Sequence, residues 1–254
     1  MIRHVCIVCA VMAHVVSVFT GCNNPASNDN DEGETPQAPA GATAIYRDGF
    51  GGDLSNWDDH YMITVGDNYP HMQISTVAAH AGTHSITSDA NKTALQYSLT
   101  TDNRVESGIA GVQFYIMAKE KGGINFTVEI GKNAGSSGGL GKAFGIGFDP
   151  NDSIKCKFYD MLGSEIVSDV MIAPIQLDHW YKCAVEVDLT AKKVSYFIDD
   201  ANVLSKDLPT ADMGHIDRLL VFRGAYVERP GYVNVDCQEG QKQYFADDIV
   251  LYKK

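Results

Sequence analysis

From Ile45 onward the large apolar residues fall at alternate positions in short runs, and Gly, Asn and Asp punctuate the gaps. Val112-Gln113-Phe114-Tyr115-Ile116, Phe126-Thr127-Val128-Glu129-Ile130, Phe144-Gly145-Ile146-Gly147-Phe148, Val194-Ser195-Tyr196-Phe197-Ile198 and Leu219-Leu220-Val221-Phe222 therefore predict β-strands. Turn signals stand between them, among them Lys121-Gly122-Gly123, the glycine-rich stretch from Gly135 to Gly141, Asp149-Pro150-Asn151-Asp152 and Asp199-Asp200-Ala201-Asn202. No convincing amphipathic helix of ten or more residues interrupts the series. Many short strands without crossover helices predict an antiparallel sandwich or barrel. The spacing shows neither a second domain nor an internal repeat.

Two segments ahead of Ile45 break this pattern. Val5 to Phe19 is an almost unbroken apolar run behind the small positive start Arg3-His4, and it closes with Phe19-Thr20-Gly21-Cys22. At about 15 residues the run is short of the roughly 20 that a spanning helix needs. It resembles a bacterial lipoprotein signal, with Phe19 where Leu is usual. That resemblance implies a signal peptide over residues 1–21, lipidation of Cys22 and a membrane held through the lipid anchor, with an ordinary secretory signal or an uncleaved anchor as the alternatives. Asn23 is not the Asp that some bacteria read as inner-membrane retention, so the implied location is the cell envelope, facing the outer membrane or cell surface. Residues 23–43 carry no large apolar side chain and are rich in Asn, Asp, Pro, Gly and Ala, which predicts a disordered tether over 22–44.

Charge and thiols narrow the function classes. A formal net charge of -12 argues against nucleic acid as a partner and favours neutral over strongly anionic polysaccharide. Beyond Cys6, Cys9 and Cys22 only Cys156, Cys183 and Cys237 remain, an odd number that cannot form a complete disulfide framework. Cys156 and Cys183 lie on the apolar side of alternating runs and are expected to be buried thiols, with one disulfide among the three as the alternative.

Three stretches in order resemble the concanavalin A-like lectin/glucanase superfamily, which includes laminin-G-like and pentraxin-like modules. They are Tyr46-Arg47-Asp48-Gly49-Phe50 with Asp53-Leu54-Ser55-Asn56-Trp57, then Trp180 to Asp188 with Lys193 to Asp200, and finally Phe245-Ala246-Asp247-Asp248-Ile249-Val250-Leu251-Tyr252. The resemblance implies an all-β, two-sheet antiparallel jelly-roll sandwich over residues 45–254, with its terminal strands side by side and Trp57 and Trp180 serving packing. It also implies a structural calcium between the opening and closing strands, held by Asp48 and Asp248 with carbonyls near Gly66 to Asn68. Without calcium, Asp247 and Asp248 would serve as charges that stop edge pairing.

Enzymatic residues are sparse. The paired carboxylates of this superfamily's glycoside hydrolases are matched only by Glu186-Val187-Asp188-Leu189-Thr190-Ala191, whose last position is Ala and whose strand follows the catalytic place in that family. Asn125-Phe126-Thr127-Val128-Glu129, nearer that place, offers one carboxylate, and Glu186 and Asp188 read as solvated. Arg104, His179 and Arg223 do not assemble a lyase constellation. His71, His80 and His84 crowd one region, but His80 to His84 reads as a Gly turn between strands, so the spacing does not make a helical zinc pair. Aromatics in polar, turn-rich surroundings suit sugar stacking, and Tyr61, Tyr69, Tyr226 and Tyr232 are the candidate ligand contacts. The expectation is a monomeric lipoprotein whose jelly roll binds carbohydrate without cleaving it. The alternatives are a polysaccharide-degrading hydrolase or lyase of the same fold and a structural or protein-binding envelope module.

Overall fold

The computed structural model describes residues 35–57, 72–87, 93–121, 126–133, 140–149, 152–160, 170–208, 213–223 and 243–254. Every regular element among them is a strand: β1 (Thr43–Asp48), β2 (Gln73–Ser75), β3 (Ser85–Thr87), β4 (Thr93–Ser98), β5 (Ile109–Ala118), β6 (Phe126–Asn133), β7 (Leu140–Phe148), β8 (Ser153–Asp160), β9 (Val170–Pro174), β10 (Tyr181–Asp188), β11 (Lys193–Ile198), β12 (Ala201–Asp207), β13 (Arg218–Arg223) and β14 (Tyr244–Lys253). The five runs picked out by alternation fall within β5, β6, β7, β11 and β13.

The strands form two sheets. One is ordered β12-β11-β10-β5-β14-β3-β2, with β1 also paired to β14, and the other β4-β13-β6-β7-β8-β9. Period-2 alternation decides which face of each strand turns inward. On β10, Tyr181, Cys183, Val185 and Val187 are buried while Lys182, Ala184, Glu186 and Asp188 are half-exposed. The same rule sends Val112, Phe114 and Ile116 of the eight-stranded sheet against Phe126, Val128, Ile130, Phe144, Ile146 and Phe148 of the six-stranded one, and these residues share a single core. Tyr196 crosses that core, and its hydroxyl donates to the Lys157 carbonyl at 2.8 Å. The expected two-sheet antiparallel sandwich is what forms.

β1 and β14 do lie side by side, with Thr43 opposite Lys253 and Asp48 opposite Ile249. β14 changes partners along its length: Phe245 and Ala246 pair with β3, Ile249 to Lys253 pair with β1, and the register shifts between Asp247 and Val250. Asp248 sits at that shift with φ 49°, a left-handed conformation that short polar residues tolerate better than most.

Residues 35–42, within the stretch expected to be tether, make contacts with the sandwich. Pro36 is buried and packs beside Gly49, the Gln37 carbonyl accepts from Gln113 Nε2 at 3.4 Å, and Ala42 N–H donates to Pro39 O at 3.0 Å. Residues 35–42 thus lie against the outer face of the eight-stranded sheet, where sequence polarity predicted tether. The second hairpin also differs in detail: Val77 to Ala79 belong to the β2–β3 loop and not to a strand. Cys156 and Cys183 are free and buried. Burial pushes the Cys156 thiol up to about 12 and the Cys183 thiol well above its ordinary range, so both behave as small hydrophobes. Cys237 lies outside the described residues.

Candidate functional site

The outer face of the six-stranded sheet carries the polar side chains that the core rejects. Registers place Gln96 of β4, Leu220 of β13, Glu129 of β6, Gly145 of β7 and Lys157 of β8 in one row across five strands. The neighbouring row runs from Ala94 through Thr127 and Gly147 to Lys155. Gly145 makes the first row possible, because a Cβ there would stand 2.6 Å from Glu129 Cγ. The Glu129 side chain therefore leans over a position that has no side chain of its own.

Although they point away from the core, Thr127 and Glu129 are fully buried, and Lys155 and Lys157 are buried too. Thr127 Oγ1 donates to Glu129 Oε1 at 2.7 Å, and Arg218 Nη1 donates to Gln96 Oε1 at 2.8 Å. The row is thus a water-shielded set of hydrogen-bonding groups on the central strands. Glu129 is flanked along its own face by Thr127 and Gly131, so among the described residues this strand offers one carboxylate where a hydrolytic pair needs two.

At the β1–β14 junction three carboxylates meet. Asp48 accepts from Phe50 N–H at 2.7 Å, from the Trp57 indole Nε1 at 2.6 Å and from the Tyr46 hydroxyl at 2.8 Å. Asp247 accepts from His80 N–H at 2.7 Å and Asp248 N–H at 2.8 Å, and Asp248 Oδ2 lies 2.6 Å from His80 Nδ1. Burial first, and then the neighbouring Asp248, raise the Asp247 carboxyl to about 7 against the opposing pull of its backbone N–H donors. Sequence reasoning brought Asp48 and Asp248 to the same junction as calcium ligands. Both Asp48 oxygens accept hydrogen bonds from N–H and O–H donors, and the Asp248 oxygen nearest His80 pairs with its ring. Among the described residues no group of three or more His, Cys, Asp or Glu could hold a metal ion. The carbonyls of residues 66–68 lie outside the described set.

Several other expected residues also fall outside it: Cys22, Tyr61, Tyr69, Tyr226, Tyr232 and His71. His80 and His84 sit in the turn region before β3, where His84 Nδ1 meets Thr83 Oγ1 at 2.8 Å and His80 turns to Asp248. Trp57 is 5% exposed and joins the core, as packing predicted. A groove of about 500 Å³ opens beside it, and Trp57 lines it together with Asp53, Leu54, Ser55, Met72 and Leu95.

Glu186 departs from its expected solvated state. Its Oε1 accepts from the Tyr252 hydroxyl at 2.8 Å and from Lys254 Nζ at 2.6 Å, and its side chain is only 18% exposed. Asp188 caps the following turn, accepting from the N–H groups of Thr190 and Ala191 at 2.9 and 2.7 Å. Both stand on the eight-stranded sheet, opposite the sheet that carries Glu129. Their roles are structural. What sequence reasoning missed is the burial of Glu129, Lys155 and Lys157: on an alternating strand an outward charge reads as solvated, and only the full register reveals the row.

No protein-family profile matches the chain, and no curated protein matches it. Solved structures share its fold at low identity. A Crh5 transglycosylase superimposes with TM-score 0.54 at 14% identity over 84% of this chain and 85% of that one. An endo-β-1,4-glucuronan lyase from the fungus Trichoderma reesei gives TM-score 0.52 at 11% identity, covering 84% and 96%. A sialidase gives TM-score 0.50 at 12% identity over 83% of this chain, which spans only 18% of that protein. These likenesses establish the two-sheet sandwich and nothing finer.

Proposed function

We propose that this chain is a lipid-anchored envelope protein whose concanavalin A-like domain binds glycan on the outer face of the six-stranded sheet without cleaving it. The row Gln96, Glu129 and Lys157 over the bare floor of Gly145 carries the reading. Sugars are recognised by convergent donors and acceptors held away from bulk water, and this face supplies a carboxylate and cations in that state beside a half-buried amide. The single carboxylate of β6 supports binding over hydrolysis. Proteins of related fold whose names denote glycan chemistry make the class reasonable, though fold alone does not select a function.

A panel of soluble polysaccharides, assayed for retention and for products, tests the proposal. The expected result is saturable binding with no new reducing ends or unsaturated uronates, and weakened binding in Glu129→Gln. Released product sinks the non-catalytic reading and promotes the alternative that a fully buried Glu129 favours, an enzyme with a divergent site. Binding to no glycan leaves the envelope-module alternative. The anchor is tested separately: Cys22→Ser should release the protein in soluble form, and persistent membrane association would argue for an uncleaved segment.

A further inference from the structure

The opposite face of the sandwich carries a second group of side chains that the six-stranded face does not use. On the outer side of the eight-stranded sheet, Asp247 of β14, Tyr115 of β5 and Lys182 of β10 stand in one cross-strand row. Beyond Lys182, the β11–β12 turn places Asp199, whose Oδ1 accepts from Lys182 N–H at 3.1 Å, and Asp200, whose Oδ1 pairs with Lys182 Nζ at 2.7 Å. The β2–β3 loop folds over this row and sets the His80 ring on the Tyr115 ring, with centroids 3.4 Å apart and planes 15° from parallel. Trp180, one residue ahead of β10, meets His80 edge-on at 5.9 Å and 75°.

Three aromatic rings thus converge, and the surface is partly open: Tyr115 and Trp180 are half-buried, and the His80 side chain is 30% exposed. Each ring has a polar atom that the described protein leaves unengaged. His80 spends Nδ1 on Asp248 and keeps Nε2, Tyr115 keeps its hydroxyl, and Trp180 keeps its indole Nε1. Several corresponding groups among the described residues are engaged within the protein. The Trp57 indole donates to Asp48, and the hydroxyls of Tyr46, Tyr181, Tyr196 and Tyr252 all find protein partners.

We propose that His80, Tyr115 and Trp180 form a second saccharide site, on the sheet opposite the Glu129 face, that takes a neutral pyranose of a glycan chain. The chemistry is specific to a polyol with apolar ring faces. In the tautomer that gives Nδ1–H to Asp248, His80 Nε2 is an acceptor; the Trp180 Nε1–H is a donor; the Tyr115 hydroxyl serves as either. Burial and the surrounding Asp248, Asp199 and Asp200 hold the Tyr115 hydroxyl above its ordinary pKa, so it keeps its proton at neutral pH. Aromatic edges and faces suit the C–H side of a pyranose, and Asp200, paired on one side with Lys182, can accept from a peripheral hydroxyl. Asp199 and Asp200 flank Lys182 while Asp247 and Asp248 stand beside Tyr115 and His80, an excess of carboxylates that disfavours a uronate or a sulfated sugar. The site is independent of the Glu129 row, since it shares no residue or strand with it.

The two tryptophans of the chain give only two indole N–H signals, so ¹H–¹⁵N spectra of the full chain read this site directly. Cellohexaose, xylohexaose and mannohexaose serve as neutral probes and hexagalacturonate as the anionic one. At least one neutral probe should shift the Trp180 indole signal saturably, while the buried Trp57 signal stays in place. Tyr115→Phe, which removes one hydroxyl and leaves the stack, should weaken that binding by about five- to tenfold with an unchanged melting temperature. Glu129→Gln should leave the Trp180 titration as it is, so failure of the other face and failure of this one are read separately. The proposal is overturned if no neutral probe shifts Trp180, if Tyr115→Phe binds like the parent, or if hexagalacturonate binds more tightly than every neutral probe.

Discussion

Asp48 closes the opening turn of the sandwich by gathering donors from three residues, and the Trp57 indole makes the shortest of these bonds at 2.6 Å. A buried bond to a carboxylate is worth about 1.5–3 kcal/mol, more than a neutral one. Trp57→Phe keeps most of the packing and removes the donor, so urea denaturation should show a loss of about 1–3 kcal/mol; an unchanged midpoint would mean that Asp48 finds another partner at no cost. The residues themselves were legible in the sequence, since Asp48 and Asp248 stand out as acids on the first and last strands. Their partners were not. Trp57 and His80 lie 9 and 168 positions away from the carboxylates they meet, and neither distance follows from a strand period. The His80, Tyr115 and Trp180 group was hidden for the same reason, because its three members come from the β2–β3 loop, from β5 and from the residue ahead of β10.

At the scale of the element, β14 shows how one strand serves two neighbours. Its bulge at Asp247–Asp248 ends pairing with β3 and starts pairing with β1, and the price is a carboxyl held in a buried place. Burial and the neighbouring Asp248 push the Asp247 carboxyl up to about 7, above the ordinary carboxylate range. A raised native value means that the folded state binds the proton more tightly than the unfolded chain does. The resulting stabilisation is complete below about pH 4 and is lost as pH rises through about 7. Unfolding midpoints should therefore contain a component that falls between about pH 4 and 7, and the slope should flatten in Asp247→Asn. A parent midpoint with no such difference from the variant would show that the N–H donors of His80, Ala81 and Asp248 outweigh burial. Alternation identified the central strands because β-branched and aromatic residues recur every second position. It did not assign them to sheets, which depends on pairings across the whole chain, and so it could not see that Glu186 and Glu129 belong to opposite faces.

For the molecule as a whole, the fold class was readable because period-2 runs without helical crossovers leave few architectures. Residues 35–42 are held by backbone and proline contacts that composition does not reveal. At the described junction Asp48, Asp247 and Asp248 all have hydrogen-bond partners. A calcium held there only by the native state should raise the melting temperature above its value in excess EDTA, and agreement within about 1 °C would count against the ion. A rise of several degrees in calcium would show that further oxygen ligands complete a cage.

The pairing of Thr43 with Lys253 brings the first and last strands together at the same end of the sandwich, one strand spacing apart. The folded chain is topologically almost a ring with a single cut. A few glycines joining those two positions would close it with little distortion of β1 or β14, and new ends could then be opened in an exposed turn such as Asp199–Asp200. Whichever turn is opened would become the point from which the sandwich hangs, so the orientation of its two faces toward the surroundings is set by where the ring is cut, and not by the fold.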